Sequence, residues 1–216
     1  MVSGPLTVIW RANRLGCGMI EIIEQLPPPL RLAVAYAPKS ARVAFALLLL
    51  LDERLAQIVE RATEPMIAQL KLAWWRDAFT AQAEQRPKGE PLLSALFDQA
   101  RPELLAVAGD LVDAWEILPC HGEWTDAELG AFAQKRGDAV FNGYCRLIGL
   151  NQSAAAAGEE WARGDITARY GDEVPDQGLP YLPLLKGRIF RPLTILTMLS
   201  RGVSGPRLIL HSLTGL

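Results

Sequence analysis

Almost no segment of this chain alternates apolar and polar residues with the period of a strand, whereas apolar residues recur at intervals of three and four along nearly its whole length. A period near 3.6 lines apolar side chains along one face of a helix, and a sheet would need a period of two. The pattern therefore confines the chain to helix-on-helix packing, an all-α bundle. Proline and glycine divide it. A short helix opening at Met19 is expected to break at Pro27-Pro28-Pro29, and Ser40, after Pro38, is the expected N-cap of a long helix over residues 40 to 61. Thr63 is the expected cap of a second helix that tolerates Pro65 in its first turn and continues to about residue 83. Further helices are expected at about 91–99 and 103–118. Thr125 with Glu128 forms a capping box that opens a helix to about 149, and another over 152–170 is stopped by Gly171. Shorter helices near 191–200 and 206–213 close the chain. The two long helices joined at Ala62-Thr63 should run antiparallel, with Trp74 or Trp75 buried between helices.

Neither a repeat nor a linker divides residues 19–216, which read as a single domain. Residues 1–18, MVSGPLTVIWRANRLGCG, are aperiodic and are expected to be a disordered or non-native extension, with Met19 as the natural start. Half of the 216 residues are hydrophobic, enough for a substantial core. With 22 basic against 24 acidic residues and no basic tract, nucleic acid is excluded as the main partner. The three cysteines, Cys17, Cys120 and Cys145, lack CxxC spacing, and the two histidines are His121 and His211, so neither a disulfide framework nor a zinc site is indicated. A reducing, cytoplasmic setting is expected. The longest apolar run, residues 43–51, is half of the roughly 18 residues a membrane span needs, which leaves peripheral membrane contact open but no transmembrane segment.

The chemistry-bearing stretch follows that run. Phe45, Leu49, Asp52, Ala56 and Glu60 succeed one another at spacings of four and three, so they form one helical stripe, apolar at its start and acidic at its end. Glu53 stands beside Asp52, and Glu64 follows. Carboxylates on adjacent turns can share magnesium ions that also grip phosphate oxygens. The same pattern also describes the solvated end of a core helix. Asp110, Asp113 and Glu116 share a second face and read as solvated; Arg76 and Asp77 read as a surface charge pair. His121 beside Cys120 follows a proline in a turn and reads as structural.

The order of the pieces carries a resemblance. Ala-Tyr-Ala-Pro at 35–38, the long helix from Arg42, EPMIAQLKLAWWRDAF at 64–79, LVDAWEIL at 111–118 and FAQKRGDAVF at 132–141 together resemble the squalene/phytoene synthases, particularly their short bacterial, degenerate-motif members. The resemblance covers residues of about 20 to 213. It implies the all-helical isoprenoid-synthase fold, in which two acidic motifs on facing helices hold magnesium and prenyl diphosphate while two prenyl chains are joined head to head. Phe45 and Leu49 would then line the cavity between these helices. Where active members carry D-D-x-x-D, this chain places Ala56, Gln57 and Glu60, and an arginine one turn earlier is replaced by Glu53. Against the second motif, GEEWARGDITAR at 158–169 puts Ala162, Asp165 and Arg169 on the glutamine, asparagine and aspartate positions. Arg169 cannot ligate a metal, because a guanidinium has only donors; it can neutralise Glu60 foremost and Asp52 or Glu53 next, or else interact with its own helix C-terminus and point into solvent. A mitochondrial relative with similarly eroded motifs is a complex I assembly factor. The resemblance thus implies a non-catalytic binding or assembly protein with a partner in respiratory or membrane-protein assembly and no cofactor. The alternatives are a magnesium-dependent prenyl transferase acting on prenyl diphosphates, and an apolar-ligand carrier.

Overall fold

The computed structural model describes residues 23–118, 124–171, 174, 181–203, 205 and 208. Among these there is no strand. Helices α1 (Pro28–Tyr36), α2 (Lys39–Glu60), α3 (Pro65–Thr80), α4 (Pro91–Asp98), α5 (Pro102–Trp115) and α6 (Asp126–Gly137) follow one another. A π-helical turn, Asp138–Asn142, carries α6 without a break into α7 (Gly143–Leu147), and α8 (Ala155–Tyr170) and α9 (Arg191–Ser200) complete the bundle. The expected extension at 1–18, the start at Met19, Cys17, Cys120, His121, His211 and most of the helix at 206–213 lie outside the described residues.

Helix α2 is the centre. From Ala41 to Val59 it is buried on almost every side, with Phe45, Leu47, Leu48, Leu49, Leu51 and Leu55 in the core. A helix that is apolar all round must be surrounded by others. That is the physical meaning of the long apolar run. Among the described residues, no helix is long and apolar enough to cross a membrane.

Helix α3 lies beside α2 and mainly against α5. Trp75 is buried at 3% exposure whereas Trp74 is 40% exposed. Of the expected caps, only one is made by the residue named. Thr125 Oγ1 accepts from the Glu128 amide at 3.3 Å, and the Glu128 carboxylate accepts from the Thr125 amide at 2.8 Å. Ser40 instead sits inside α2, which starts at Lys39 after Pro38; Thr63 is displaced by Glu64, whose side chain makes no cap. The prolines explain the difference. Pro28, Pro65, Pro91, Pro102 and Pro192 all occupy first-turn positions, where a missing N–H leaves less for a cap to satisfy. The Pro27-Pro28-Pro29 run thus starts α1. The far end of α1 is covered by Arg42, whose Nη2 donates to the Ala35 and Ala37 carbonyls at 2.9 and 3.1 Å.

Two glycines set the distance between α6 and α8. A Cβ on Gly137 would lie 2.3 Å from the Gly158 carbonyl carbon, and one on Gly158 would lie 2.4 Å from the Gly137 oxygen. Backbone therefore touches backbone at this crossing, and any side chain would force the helices apart. The π turn follows immediately. Within it Asn142 donates to Asp138 and accepts from the Ala154 amide at 2.7 Å, tying the wide turn to the start of α8.

Candidate functional site

The close approach of α6 and α8 brings Arg136, one residue before Gly137, into the middle of the bundle. Its side chain has no solvent exposure, and that of Asp52 on α2 has 3%. The two form a forked pair, with Nε donating to Oδ1 at 2.9 Å and Nη2 to Oδ2 at 2.6 Å. Trp115 of α5 adds an indole N–H to Asp52 Oδ1 at 2.8 Å. Arg136 Nη2 also lies 2.6 Å from Asp165 Oδ2 on α8. The guanidinium is surrounded by aromatic rings, with its carbon 4.3 Å from the Trp161 centroid, 4.9 Å from Trp115 and 5.6 Å from Phe132.

A second arginine continues the network toward the surface. Arg169 Nε donates to Asp165 Oδ2 at 2.9 Å and Nη1 donates to Glu60 Oε1 at 3.0 Å, while Nη2 donates to Glu53. The acidic end of the α2 stripe thus faces α8. Arg169 reaches Glu60 and Glu53, but Asp52 is held by Arg136 instead. Four carboxylates from two helices are joined by two guanidinium groups.

Burial opposes the charge of each arginine, and neighbouring carboxylates outweigh it. Asp52 and then Asp165 push Arg136 above the ordinary guanidinium range; Asp165 and Glu53 do the same for Arg169. Burial would raise Asp165, but Arg136 and Arg169 together hold it below the usual carboxylate value. For Glu53 burial prevails over the attraction of Arg169, so its carboxyl is raised. These two acids therefore have opposite linkage. Asp165 contributes stability above its unfolded pKa of about 3.9, lost as the pH falls through its lower folded value; Glu53 contributes less as the pH rises. Asp165→Asn is expected to cost about 2 kcal/mol at pH 7, with the difference from the parent shrinking below about pH 4, as read by urea unfolding against pH. Glu53→Gln should be close to neutral at pH 7. An Asp165→Asn cost independent of pH would refute this assignment.

The remaining positions named from sequence donate nothing to the cluster. Ala56 and Ala162 are fully buried and apolar. Gln57 lines a cleft of about 280 Å³ with Gln25, Glu53, Arg54 and Glu90. Phe45, expected to line a cavity, is stacked edge-on against Tyr144 with centroids 4.8 Å apart, and Leu49 is enclosed in the core at 1% exposure; neither borders the cleft at Gln57. Glu116, read as solvated, accepts both oxygens' worth of contact from Arg76 Nη1 at 2.9 and 3.0 Å, a closer partner for Arg76 than the expected Asp77 at 3.6 Å. Asp110 lies 3.5 Å from Arg146.

A magnesium ion asks for about six oxygens at roughly 2.1 Å in octahedral array. Here both oxygens of Asp52, Oδ2 of Asp165 and one oxygen each of Glu53 and Glu60 already accept from guanidinium nitrogens. Among the described residues, no group of three or more histidine, cysteine or carboxylate side chains is placed to hold a metal. As arranged, the donor set does not fit a magnesium–diphosphate cluster.

An all-helical bundle that sets two acidic helix faces opposite each other across its core is of the isoprenoid-synthase-like class. The chain belongs to the squalene/phytoene synthase family, whose model matches residues 29–162. That match includes Asp52 and Arg136 and ends before Asp165 and Arg169. No curated protein and no solved structure matches the chain.

Proposed function

We propose that this protein is a non-catalytic member of its family that acts as a binding or assembly protein. The observation that carries this reading is the pair of arginines lying where the acidic helices converge. An active site of the family's kind would need those carboxylate oxygens free to gather divalent cations around a diphosphate. Arg136 and Arg169 instead supply the positive charge from within the chain. The closed core at Phe45 and Leu49 also argues against an apolar-ligand carrier. Protein partnership in respiratory or membrane-protein assembly, in a reducing compartment such as the cytoplasm, is the setting the family resemblance suggests.

Incubation with farnesyl and geranylgeranyl diphosphates and magnesium is expected to release no diphosphate. In calorimetric titration, a non-hydrolysable prenyl diphosphate analogue should show no magnesium-dependent binding. Turnover, or such binding tighter than ~10 μM, would make the protein a prenyl transferase and overturn the reading.

A sharper check rebuilds the acids. Arg169→Asp combined with Ala56→Asp should lower the Tm in the absence of metal, since like charges then crowd Glu53, Glu60 and Asp165. Magnesium should raise the Tm of this variant and leave the parent unchanged, because an ion bound only by the folded state stabilises it. Equal magnesium responses in the two proteins would show that the arginine does not stand in for a cation.

A further inference from the structure

Ahead of α9 the chain runs as an irregular segment, residues 181–187, that belongs to no helix. Its side chains do little to hold it. Tyr181 and Leu182 are 69% and 39% exposed, and of this stretch only Leu185 packs against the core. The backbone is gripped instead, at one residue. The Leu182 N–H donates to Glu160 Oε2 at 2.9 Å, and the Leu182 carbonyl accepts from Arg201 Nη2 at 2.6 Å. Arg201 Nε donates in turn to Glu160 Oε1 at 2.7 Å, and both side chains are 15% exposed. Glu160 stands on α8 and Arg201 directly follows α9. Their ion pair thus supplies what a neighbouring strand would, an acceptor and a donor for the two polar groups of a single residue. Tyr181 leans on the same guanidinium, with its ring centroid 4.7 Å from the Arg201 carbon. Among the described residues, the backbone of residues 183–186 makes no hydrogen bond.

The far end of the segment is fixed. The Ile189 carbonyl accepts from the Tyr144 hydroxyl at 2.7 Å, and Phe190 is buried at 4% exposure. Between the two attachments lies Gly187, at φ 108° and ψ 147°, a conformation that residues with a Cβ adopt only under strain. Nothing lies within 4 Å of where a Cβ on Gly187 would stand, so the backbone there has room to turn. One clasp, one pivot and one anchored end follow in order. With so few apolar contacts and bonds, the stretch from the clasp to the pivot sits at the low-stability end of the fold.

We propose that residues 181–186 are a strap that opens about Gly187 while the bundle stays folded, with the Glu160–Arg201 pair as its latch. Opening lifts Leu185 from the core and leaves the carboxylate and guanidinium without a peptide unit between them. Glu160 and Arg201 bond to each other and to Leu182, not to Arg136 or Arg169, so the strap stands or falls apart from the functional reading above.

Hydrogen exchange of the full chain, resolved by residue with NMR, reads the latch at the Leu182 amide. In the parent this amide should exchange more slowly than a free peptide but faster than the buried helical amides of Leu48 and Leu111, at a rate that urea below the unfolding transition does not change. Arg201→Met keeps Glu160 as the acceptor, yet should speed exchange at Leu182 by at least about tenfold, the effect of losing a hydrogen bond to a charged group. The Tm and the exchange of Leu48 and Leu111 should stay as in the parent. Glu160→Arg with Arg201→Glu re-creates an ion pair but sets donor against donor at the Leu182 N–H and acceptor against acceptor at its carbonyl, so the strap should remain open. Exchange at Leu182 that keeps step with Leu48 and Leu111 as urea rises would make the segment part of the global fold and overturn the proposal. So would an amide already unprotected in the parent, or one that Arg201→Met leaves protected. Loss of core protection in Arg201→Met would make the pair a support of the bundle, and restored protection in the reversed pair would show that the peptide is not what it grips; either result also overturns the latch.

Discussion

Arg136→Met is expected to destabilise the protein by about 3–5 kcal/mol, a large part of the roughly 5–15 kcal/mol that holds a domain folded. The substitution keeps much of the apolar stem but strips Asp52 of its forked cation. Asp52 would then be a carboxylate at 2% exposure with only the Trp115 indole to satisfy it. Asp165 would lose one of its two cations at the same step. The cost is that of an unpaired buried charge more than of a lost attraction. Combining Arg136→Met with Asp52→Leu should therefore recover at least half of the loss, since an apolar pair of similar volume removes both charges. Urea unfolding followed by circular dichroism measures both variants. A single variant within about 1 kcal/mol of the parent would mean that water already reaches the pair.

Gly137→Ala and Gly158→Ala should each cost about 3 kcal/mol or more, the upper end of what overpacking does, because the obstructing atoms are backbone and cannot rotate away. The new methyl of Gly137→Ala would stand 2.3 Å from the Gly158 carbonyl carbon and 2.5 Å from the Glu159 nitrogen. Separating α6 from α8 would also draw Arg136 away from Asp165, so the packing defect becomes an electrostatic one. Gly109→Ala supplies the contrast. Nothing lies within 4 Å of its added carbon, and in the middle of α5 the change should stabilise by roughly 0.5–1 kcal/mol through helix propensity. If all three variants unfold alike, the crossing of α6 and α8 is looser than described.

Much of this bundle could be read from periodicity alone. The extents of α2, α8 and α9 follow the apolar pattern closely, and Thr125 with Glu128 announced α6 by a motif that has a physical mechanism. Prolines misled locally, because a proline stops a helix or begins one depending on which side the chain is read from. The site was legible in halves. Helical spacing placed the acids of α2 on one stripe, and the family motif brought Arg169 to them, but neither pointed to Arg136. The signal was present in the positions: Leu129, Phe132, Arg136 and Val140 fall at three- and four-residue spacings, so Arg136 interrupts an otherwise apolar row. A charge on a buried row needs a buried counter-charge. What no local pattern can supply is which distant acid provides it, and here the partner lies 84 residues away. The Gly137–Gly158 contact is hidden for the same reason, since a glycine in a helix looks like a weak helix former until the opposing backbone is known.

The placement of Trp115 over Arg136, with its N–H on Asp52, couples three positions from three helices into one unit of sequence change. Altering Asp52 alone strands the Trp115 N–H and a buried guanidinium, and altering Arg136 alone strands a buried carboxylate, whereas changing the three together removes these unmet groups at once. Drift through this core is consequently stepwise at most surface positions and concerted here. A bundle otherwise tolerant of small apolar exchanges thus carries one short combination, Asp52, Trp115 and Arg136, that is inherited or abandoned as a block.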